Sequence, residues 1–500
     1  MKLRDVLSTA KLAAKLPEQL CDLDVTALTA DSRNVKPGTV FFAMPGVKAD
    51  GLSFAEQAAK AGAVAIVADR MPVVAPSIPV IVSDVSAGGT RAALAFAAAQ
   101  LYPHQPPTTV AITGTSGKTS VSVFARQIWH ALDVPGASLG TIGTVTHKGA
   151  HYGSLTTPDP VALHQILQSL VAEGVTHLAM EASSHGLDQH RLDGVRLSAT
   201  AFLNLSRDHL DYHPGMSAYF EAKMLLFTKL APKGSPAVIA GNAPWKGKAV
   251  AVALHAGLKP LTVGRRQSDI AIVRSERAAH GQNLILRVHG KRHDLHLPLI
   301  GDFQASNALV AAALCMTTGS DESKVMAALT TLQGVPGRLE KVGEVNSAPV
   351  LVDYAHKPAA LATVLDMLRP YATGRLVCVF GCGGDRDSGK RPMMGKIAAE
   401  RADVTIVTDD NPRSENAADI RRAILSGPSL GASSKSKLQE IGDRAQAIQT
   451  AVGMLKSGDV LVIAGKGHEE GQIVGDQVLP FSDHAVARTA IVASGGLITR

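Results

Sequence analysis

Residues 108–132 read TTVAITGTSGKTSVSVFARQIWHAL. The apolar run at 109–112 reads as a buried strand, and the stretch after Lys118 as a helix. Between them stands Gly114-Thr115-Ser116-Gly117-Lys118-Thr119, followed by Ser120. Glycines let backbone N–H groups converge on phosphate oxygens, and the N-terminus of the following helix adds positive potential. Lys118 can reach the β and γ phosphates, and the Thr119 hydroxyl can ligate Mg²⁺. An ordinary glycine turn needs neither the Lys-Thr pair nor the helix. The usual phosphate loop has four residues between its first Gly and the Gly-Lys pair, whereas this one has two, Thr115 and Ser116. That departure points to a particular subgroup. A nucleotide site alone leaves a switch, a kinase and a ligase open.

The same style recurs downstream. LAMEASSHG, ATAFLNLSRDH, PVLVDYAHKP, RLVCVFGCGGDRD, ADVTIVTDDNPR and DVLVIAGKGHE are each an apolar run ending in polar residues. Ligands of α/β sheets bind beyond the carboxyl ends of the strands, so these endings are candidate site residues of a multi-part enzyme site. The first segment carries weaker strand signals in TALTADSR, TVFFAMPG and AGAVAIVAD. Aromatics are 4% of the chain and Gly numbers 46, which favours aliphatic α/β layers over a sandwich built on aromatic pairs. At 500 residues the chain is long enough for about three domains. Proline clusters at 102–109 and the stretch 334–344 offer two breaks, giving segments 1–105, 106–335 and 336–500.

Lys+Arg is 50 and Asp+Glu 43, a net charge of +7, and the basic residues are scattered. A nucleic-acid arm or a polybasic membrane segment is therefore not expected. Cys21, Cys315, Cys378 and Cys382 make no Cys-x-x-Cys pair and read as incidental or buried thiols. MKLRDVLSTAKLAAKL is broken by charge too often for a signal-peptide core. No apolar run approaches the ~18 residues that span a bilayer, so a cytoplasmic protein is the expectation.

GTSGKT, MEASSHGLDQHR, NLSRDHLDYH, PGRLE, VDYAHKP, GCGGDRDSGKRP, DDNPR and GKGHE, in this order, resemble the Mur ligase family. Within it they resemble the ligases that attach the third residue of the cell-wall stem peptide. The resemblance implies an α/β protein of three domains. These are an N-terminal UDP-binding domain (1–105), a central P-loop ATP-binding domain (106–335) and a C-terminal Rossmann-like domain for the amino acid (336–500). It implies amide formation on UDP-N-acetylmuramoyl-L-alanyl-D-glutamate through an acyl phosphate, with ATP as co-substrate and Mg²⁺ as cofactor. A carboxylate reacts with an amine only after activation. ATP and the carboxylate, both anions, must be brought together by cations.

Residue by residue, the resemblance implies Glu181, with Thr119, as a Mg²⁺ ligand, and His209 as a ligand of a second ion. His209 and His213 are four apart, a spacing that could mimic a zinc pair on a helix, although no third zinc-type ligand accompanies them. His213 alone reads as structural. Lys223 would carry a carbamate made from CO₂ and help hold the second ion. From its sequence alone it is a lysine whose stem lies on the core. Lys118, Lys223 and His209 are thus the catalytic candidates. Thr156, Thr157, Ser183, Gln189 and Arg191 resemble contacts to the muramoyl-dipeptide, and Arg191 suits a carboxylate. Leu155 stands where the family often has Asn. Ser32 and Val47-Lys48-Ala49 match uridine-binding positions. Asn307, Arg338 and Asp353 resemble adenosine and phosphate contacts, with Gln304 where the family commonly has Asn.

Asp410-Asn411-Pro412-Arg413 follows the run ADVTIVT. Asn-Pro favours a turn after a strand, but a turn does not require Arg413. Family members that add meso-diaminopimelate resemble this chain in having Asp-Asn-Pro-Arg, and lysine-adding relatives lack the Arg. Diaminopimelate is lysine with an extra carboxylate on its far carbon, which a guanidinium can pair with in bidentate fashion. Arg386, Gly465 and Glu469 complete the implied pocket, with Glu469 accepting from the ammonium group. Two readings compete. A folylpolyglutamate synthetase shares the short P-loop but has no separate UDP-binding domain and no Asp-Asn-Pro-Arg. A P-loop switch would need a guanine motif such as Asn-Lys-x-Asp, which is absent from the sequence. The expected partners are the three substrates, with neither nucleic acid nor membrane, and the expected state is a monomer.

Overall fold

The computed structural model describes residues 1–8, 16–46, 50–151, 155–210, 212–241, 244–265, 267–278, 281–427 and 436–499. Its described residues form two compact units, one of Met1–Pro298 with Phe303–Leu332 and one of Leu299–Asp302 with Gln333–Arg500. The expected break at 105/106 falls inside the first unit, between two separate sheets. The division at 332/333 lies beside the second proline-bearing stretch.

The first sheet is four parallel strands, Ala27–Thr29, Thr39–Ala43, Ala63–Ala68 and Val80–Val82. Val40 and Phe42 face one core with Leu94 and Ala98, while Phe41 and Ala43 face another with Ile66. Burial on both faces is why TVFFA is continuously apolar rather than alternating. The helix Gly89–Leu101 covers one face and packs against the helix Pro160–Ala172 of the next sheet's layer.

The second sheet has eleven strands. Its parallel part runs Lys259–Arg265, Pro236–Ile239, Ala199–Phe202, Thr108–Thr113, His177–Glu181, Gly136–Gly140. Ile270–Ala278 adds one more parallel strand beside Lys259–Arg265, and antiparallel strands then complete both edges. Thr108–Thr113 is central, and register aligns Ile112 with Glu181 and Thr113 with Phe202. The loops after these three strands therefore emerge together.

In the second unit a seven-stranded sheet runs Lys437–Glu440, Val404–Val407, Leu376–Phe380, Val460–Ala464, Ala348–Asp353, Arg338–Val345, Leu497–Ile498. The first five are parallel. Ala464 is in register with both Asp353 and Phe380, and Phe380 with Val407. Four loops thus leave the sheet at one level. A hairpin of Gly471–Val474 and Gln477–Pro480 stands beside them.

Candidate active site

In the first unit the phosphate loop joins the strand Thr108–Thr113 to the helix Lys118–Ala131. Gly117 sits at φ 90°, and a Cβ there would come within 2.6 Å of the Asn307 Oδ1, so only glycine permits this approach. Asn307 is accordingly beside the loop, and it donates to Gln304 Oε1 at 3.2 Å. Lys118 Nζ donates to the carbonyls of Gly114 (2.8 Å) and Thr115 (3.1 Å). Thr119 and Ser120 are buried in the first turn.

Asn204, which the sequence reading did not single out, pins this loop. Its Oδ1 accepts from Ser116 N and its Nδ2 donates to Ser116 O, both at 3.0 Å. Its carbonyl accepts from Thr115 N at 3.0 Å. The only signal was its place just after an apolar run.

Lys223 lies on the helix Met216–Leu225 with 1% exposure, and its Nζ donates to Gly114 O at 2.9 Å. The ammonium sits 4.3 Å from the Tyr219 ring centroid. Burial, with the nearby Lys118 charge, holds the Lys223 amine well below the usual lysine range, against the attraction of Asp208. The family-implied site thus contains an amine disposed to be neutral. Tyr219, whose hydroxyl is 3.3 Å from Thr115 Oγ1, was likewise not anticipated.

Glu181 is 1% exposed at its strand end. Its Oε1 accepts from Thr141 N at 2.8 Å and its Oε2 from the Thr141 hydroxyl at 3.2 Å. Thr141 Oγ1 is also 3.1 Å from Thr156 Oγ1, which ties Thr156 to the carboxylate. Thr141 was missed because a threonine after Leu-Gly carries no pattern. Thr157 Oγ1 donates to Glu181 O and accepts from Ser183 N. Ser183 caps the short helix Ser184–Asp188 by accepting from Gly186 N. Arg191 donates to Thr157 O (2.9 Å) and Gln189 Oε1 (2.7 Å), and burial lowers its pKa. Gln189 in turn donates to Tyr212. Thr156, Thr157, Ser183, Gln189 and Arg191 are therefore one connected group, next to Glu181. Leu155 is 46% exposed.

His209 has φ 52° and its Nε2 is 3.5 Å from Asp208 Oδ2. His209 and His213 do not lie on a helix, although His213 N donates to His209 O at 2.9 Å across a single turn. The break comes before Gly215, which precedes the helix Met216–Leu225. The His185 ring meets His209 edge-on at 4.9 Å between centroids and lies tilted against His213 at 5.6 Å. Among the described residues no group of three His, Cys, Asp or Glu side chains could hold a metal. The donors that are present, a hydroxyl, a carboxylate and an imidazole, fit a hard cation that completes its shell with water and phosphate oxygens, as Mg²⁺ does. Ser32 lies half-buried in the 3-10 turn Ser32–Asn34 of the first sheet. Val47, Lys48 and Ala49 lie outside the described residues.

In the second unit the Asp410–Arg413 turn meets the 465–469 loop. Asn411 Nδ2 donates to Glu469 Oε2 at 3.0 Å. Arg413, at φ 52°, donates from its backbone N to Ile473 O and accepts from Gly475 N. Its guanidinium donates to Gly384 O at 2.8 Å. Gly384 lies so close that a Cβ would land on the Pro412 carbonyl oxygen. Gly465 donates from its N to Asp353 O at 3.1 Å, joining the pocket to the Asp353 loop. Arg386 is exposed on the turn before the helix Lys390–Arg401.

Asp353 accepts from Leu339 N (2.7 Å) and Ala355 N (2.8 Å). Burial raises its pKa to about 6, against the opposing pull of Arg338 and these two N–H groups. Arg338 is in register with Asp353 and lies 4.7 Å over the Tyr354 ring. His468 is packed against Tyr354, and burial lowers its pKa to about 4.

Three family models match the chain: Mur ligase family, catalytic domain (24–109), Mur ligase middle domain (112–315) and Mur ligase, glutamate ligase domain (337–467). A protein of Mesorhizobium japonicum named UDP-N-acetylmuramoyl-L-alanyl-D-glutamate--2,6-diaminopimelate ligase is 54% identical over 98% of this chain and 99% of its own. A solved structure of a ligase with that name is 31% identical and superposes with TM-score 0.72 over 99% of both chains. Folylpolyglutamate synthase of Mycobacterium tuberculosis shares the fold at 19% identity and TM-score 0.62, covering 81% of this chain and 95% of that one. With three domain models in order and a relative matched end to end, the chain belongs to the Mur ligase family.

Proposed function

We propose that the chain is an ATP-dependent ligase that joins meso-2,6-diaminopimelate to the D-glutamate of UDP-N-acetylmuramoyl-L-alanyl-D-glutamate, in peptidoglycan precursor synthesis. The observation that carries the geometric reading is the convergence, at the strand ends of the first unit, of the Gly114–Thr119 loop, Glu181 and the buried Lys223 amine. The name and end-to-end identity of the Mesorhizobium relative support the choice of substrates.

The glutamate carboxylate oxygen attacks the γ-phosphorus of ATP, and ADP leaves. The amine of diaminopimelate then attacks the acyl carbon, the tetrahedral intermediate expels inorganic phosphate, and the amine's proton is lost. Lys118 and the loop N–H groups stabilise the transferring phosphoryl charge. Thr119, Glu181, His209 and the Lys223 carbamate would hold Mg²⁺, which when bound neutralises charge on the phosphates. Lys223, as a neutral amine, adds through its nitrogen to the carbon of CO₂ and releases one proton, converting a neutral group into an anion. Asn307, Arg338 and Asp353 bind the nucleotide. Ser32 and the Val47–Ala49 stretch bind the uridine end, and the Thr156–Arg191 group the dipeptide. Arg386, Asp410, Asn411, Pro412, Arg413, Gly465 and Glu469 form the diaminopimelate pocket. The proposal also takes the enzyme as a cytoplasmic monomer of three domains, 1–105, 106–335 and 336–500. No helix among the described residues is long and apolar enough to cross a membrane.

The test is phosphate release from ATP with the muropeptide and Mg²⁺, comparing diaminopimelate, L-lysine and no amino acid, with product mass read in the same tubes. Release and a tripeptide product with diaminopimelate alone are expected. Activity with lysine instead overturns the specificity, and activity without the muropeptide overturns the ligase reading.

A further inference from the structure

Lys466 stands inside the GKGHE loop and was not among the expected pocket residues. Its side chain has no solvent exposure. Its ammonium donates to Asn411 Oδ1 at 2.9 Å and to Glu469 Oε2 at 3.3 Å, and lies 3.8 Å from Asp410 Oδ1. A buried cation is tolerated only when its acceptors are in place, and here all three belong to the proposed amino-acid pocket. The neighbouring buried cation, Arg444, is bound through two nitrogens to Asp483.

The consequences for the pocket are geometric. Asn411 Oδ1 accepts twice, from Lys466 and from Ile473 N at 3.0 Å. A flipped carboxamide would put its NH₂ against two donors, so the amide has one orientation, with Nδ2 toward Glu469. Glu469 Oε2 accepts from both Asn411 and Lys466, which leaves Oε1 as the oxygen for an incoming ammonium.

We propose that Lys466 is a positioning residue for the amino-acid substrate: by holding Asn411 Oδ1 and Glu469 Oε2 together it orients both groups for the diamino acid without touching it. This rests on the diaminopimelate reading above. The test measures KM for diaminopimelate, ATP and the muropeptide, with kcat and melting temperature, in wild type, Lys466→Met and Lys466→Gln. In Lys466→Met the KM for diaminopimelate rises about tenfold or more, as expected for loss of a charged hydrogen-bond partner. The KM values for ATP and the muropeptide stay within about twofold. Lys466→Gln, which keeps one donor, shows a smaller rise in the same KM and carries the test if the Met variant does not fold. An unmoved diaminopimelate KM in an active variant overturns the inference alone. So does a parallel rise in all three KM values with a lower melting temperature, since that is the mark of a general structural role. Wild type that makes no diaminopimelate-dependent product overturns the substrate reading and this inference with it.

Discussion

Arg413 is anchored through its backbone to the 471–475 segment and through one guanidinium nitrogen to Gly384 O, which fixes the direction of the fork. Arg413→Ala is expected to lose about 2–5 kcal/mol of diaminopimelate recognition, read as a fall in kcat/KM for that substrate. Calorimetric binding of an ATP analogue should be unchanged. Arg413→Lys should restore little, because an ammonium cannot make the paired contact. Lys223 leads to a different measurement. Its depressed pKa favours the neutral amine that CO₂ requires. Protein stripped of CO₂ should lose activity and regain it with bicarbonate, and Lys223→Ala should have little activity under either condition. Activity indifferent to bicarbonate in thoroughly depleted protein would count against the carbamate. The candidates Lys118, Glu181 and Arg413 stood out in the sequence because a charge at or just beyond the end of an apolar run is conspicuous. Asn204, Thr141 and Lys466 were not, because their partners are distant in sequence: Asn204 reaches Ser116, Thr141 reaches Glu181, and Lys466 reaches Asn411.

Runs of apolar residues with polar endings became strands with loops at one level, so the elements around the site were readable. The hairpin Gly471–Val474 and Gln477–Pro480 was not, because its exposed strands carry no burial pattern. Nor were the antiparallel strands between residues 270 and 297, in which polar residues interrupt the apolar ones. Gly384→Ala tests the contact between two loops. Its Cβ has no room beside Pro412, so the variant should lose about 1–3 kcal/mol of stability in denaturant unfolding and show a raised diaminopimelate KM. The Asp353 loop adds a pH dependence. Its folded pKa of about 6 lies above the ordinary aspartate value of 3.8, so protonation favours the folded state. The stability this group contributes is complete below about pH 4 and is lost as pH rises through about 6. The melting-temperature advantage of wild type over Asp353→Asn should therefore shrink across that window. A constant difference from pH 4 to 7 would contradict the assignment.

The described residues form two compact units, the first with several buried cores and the second with a core of its own. Unfolding should accordingly depart from a single two-state transition. A non-hydrolysable ATP analogue at 100 times its Kd should stabilise the folded protein by about 2.7 kcal/mol, seen as an upward shift in calorimetric unfolding. The division of the described residues into two units falls at 332/333, beside the second proline-bearing stretch. The first stretch falls where one sheet gives way to the next, and there Gly89–Leu101 packs onto Pro160–Ala172. In the second unit Asp353, Phe380, Val407 and Ala464 finish abreast. Each following loop grows from a level rim, so lengthening or rewriting one leaves the strands beneath it unaltered. On the proposed reading, a change of accepted amino acid needs only these loops to be rewritten, while the apolar sheet beneath keeps its packing.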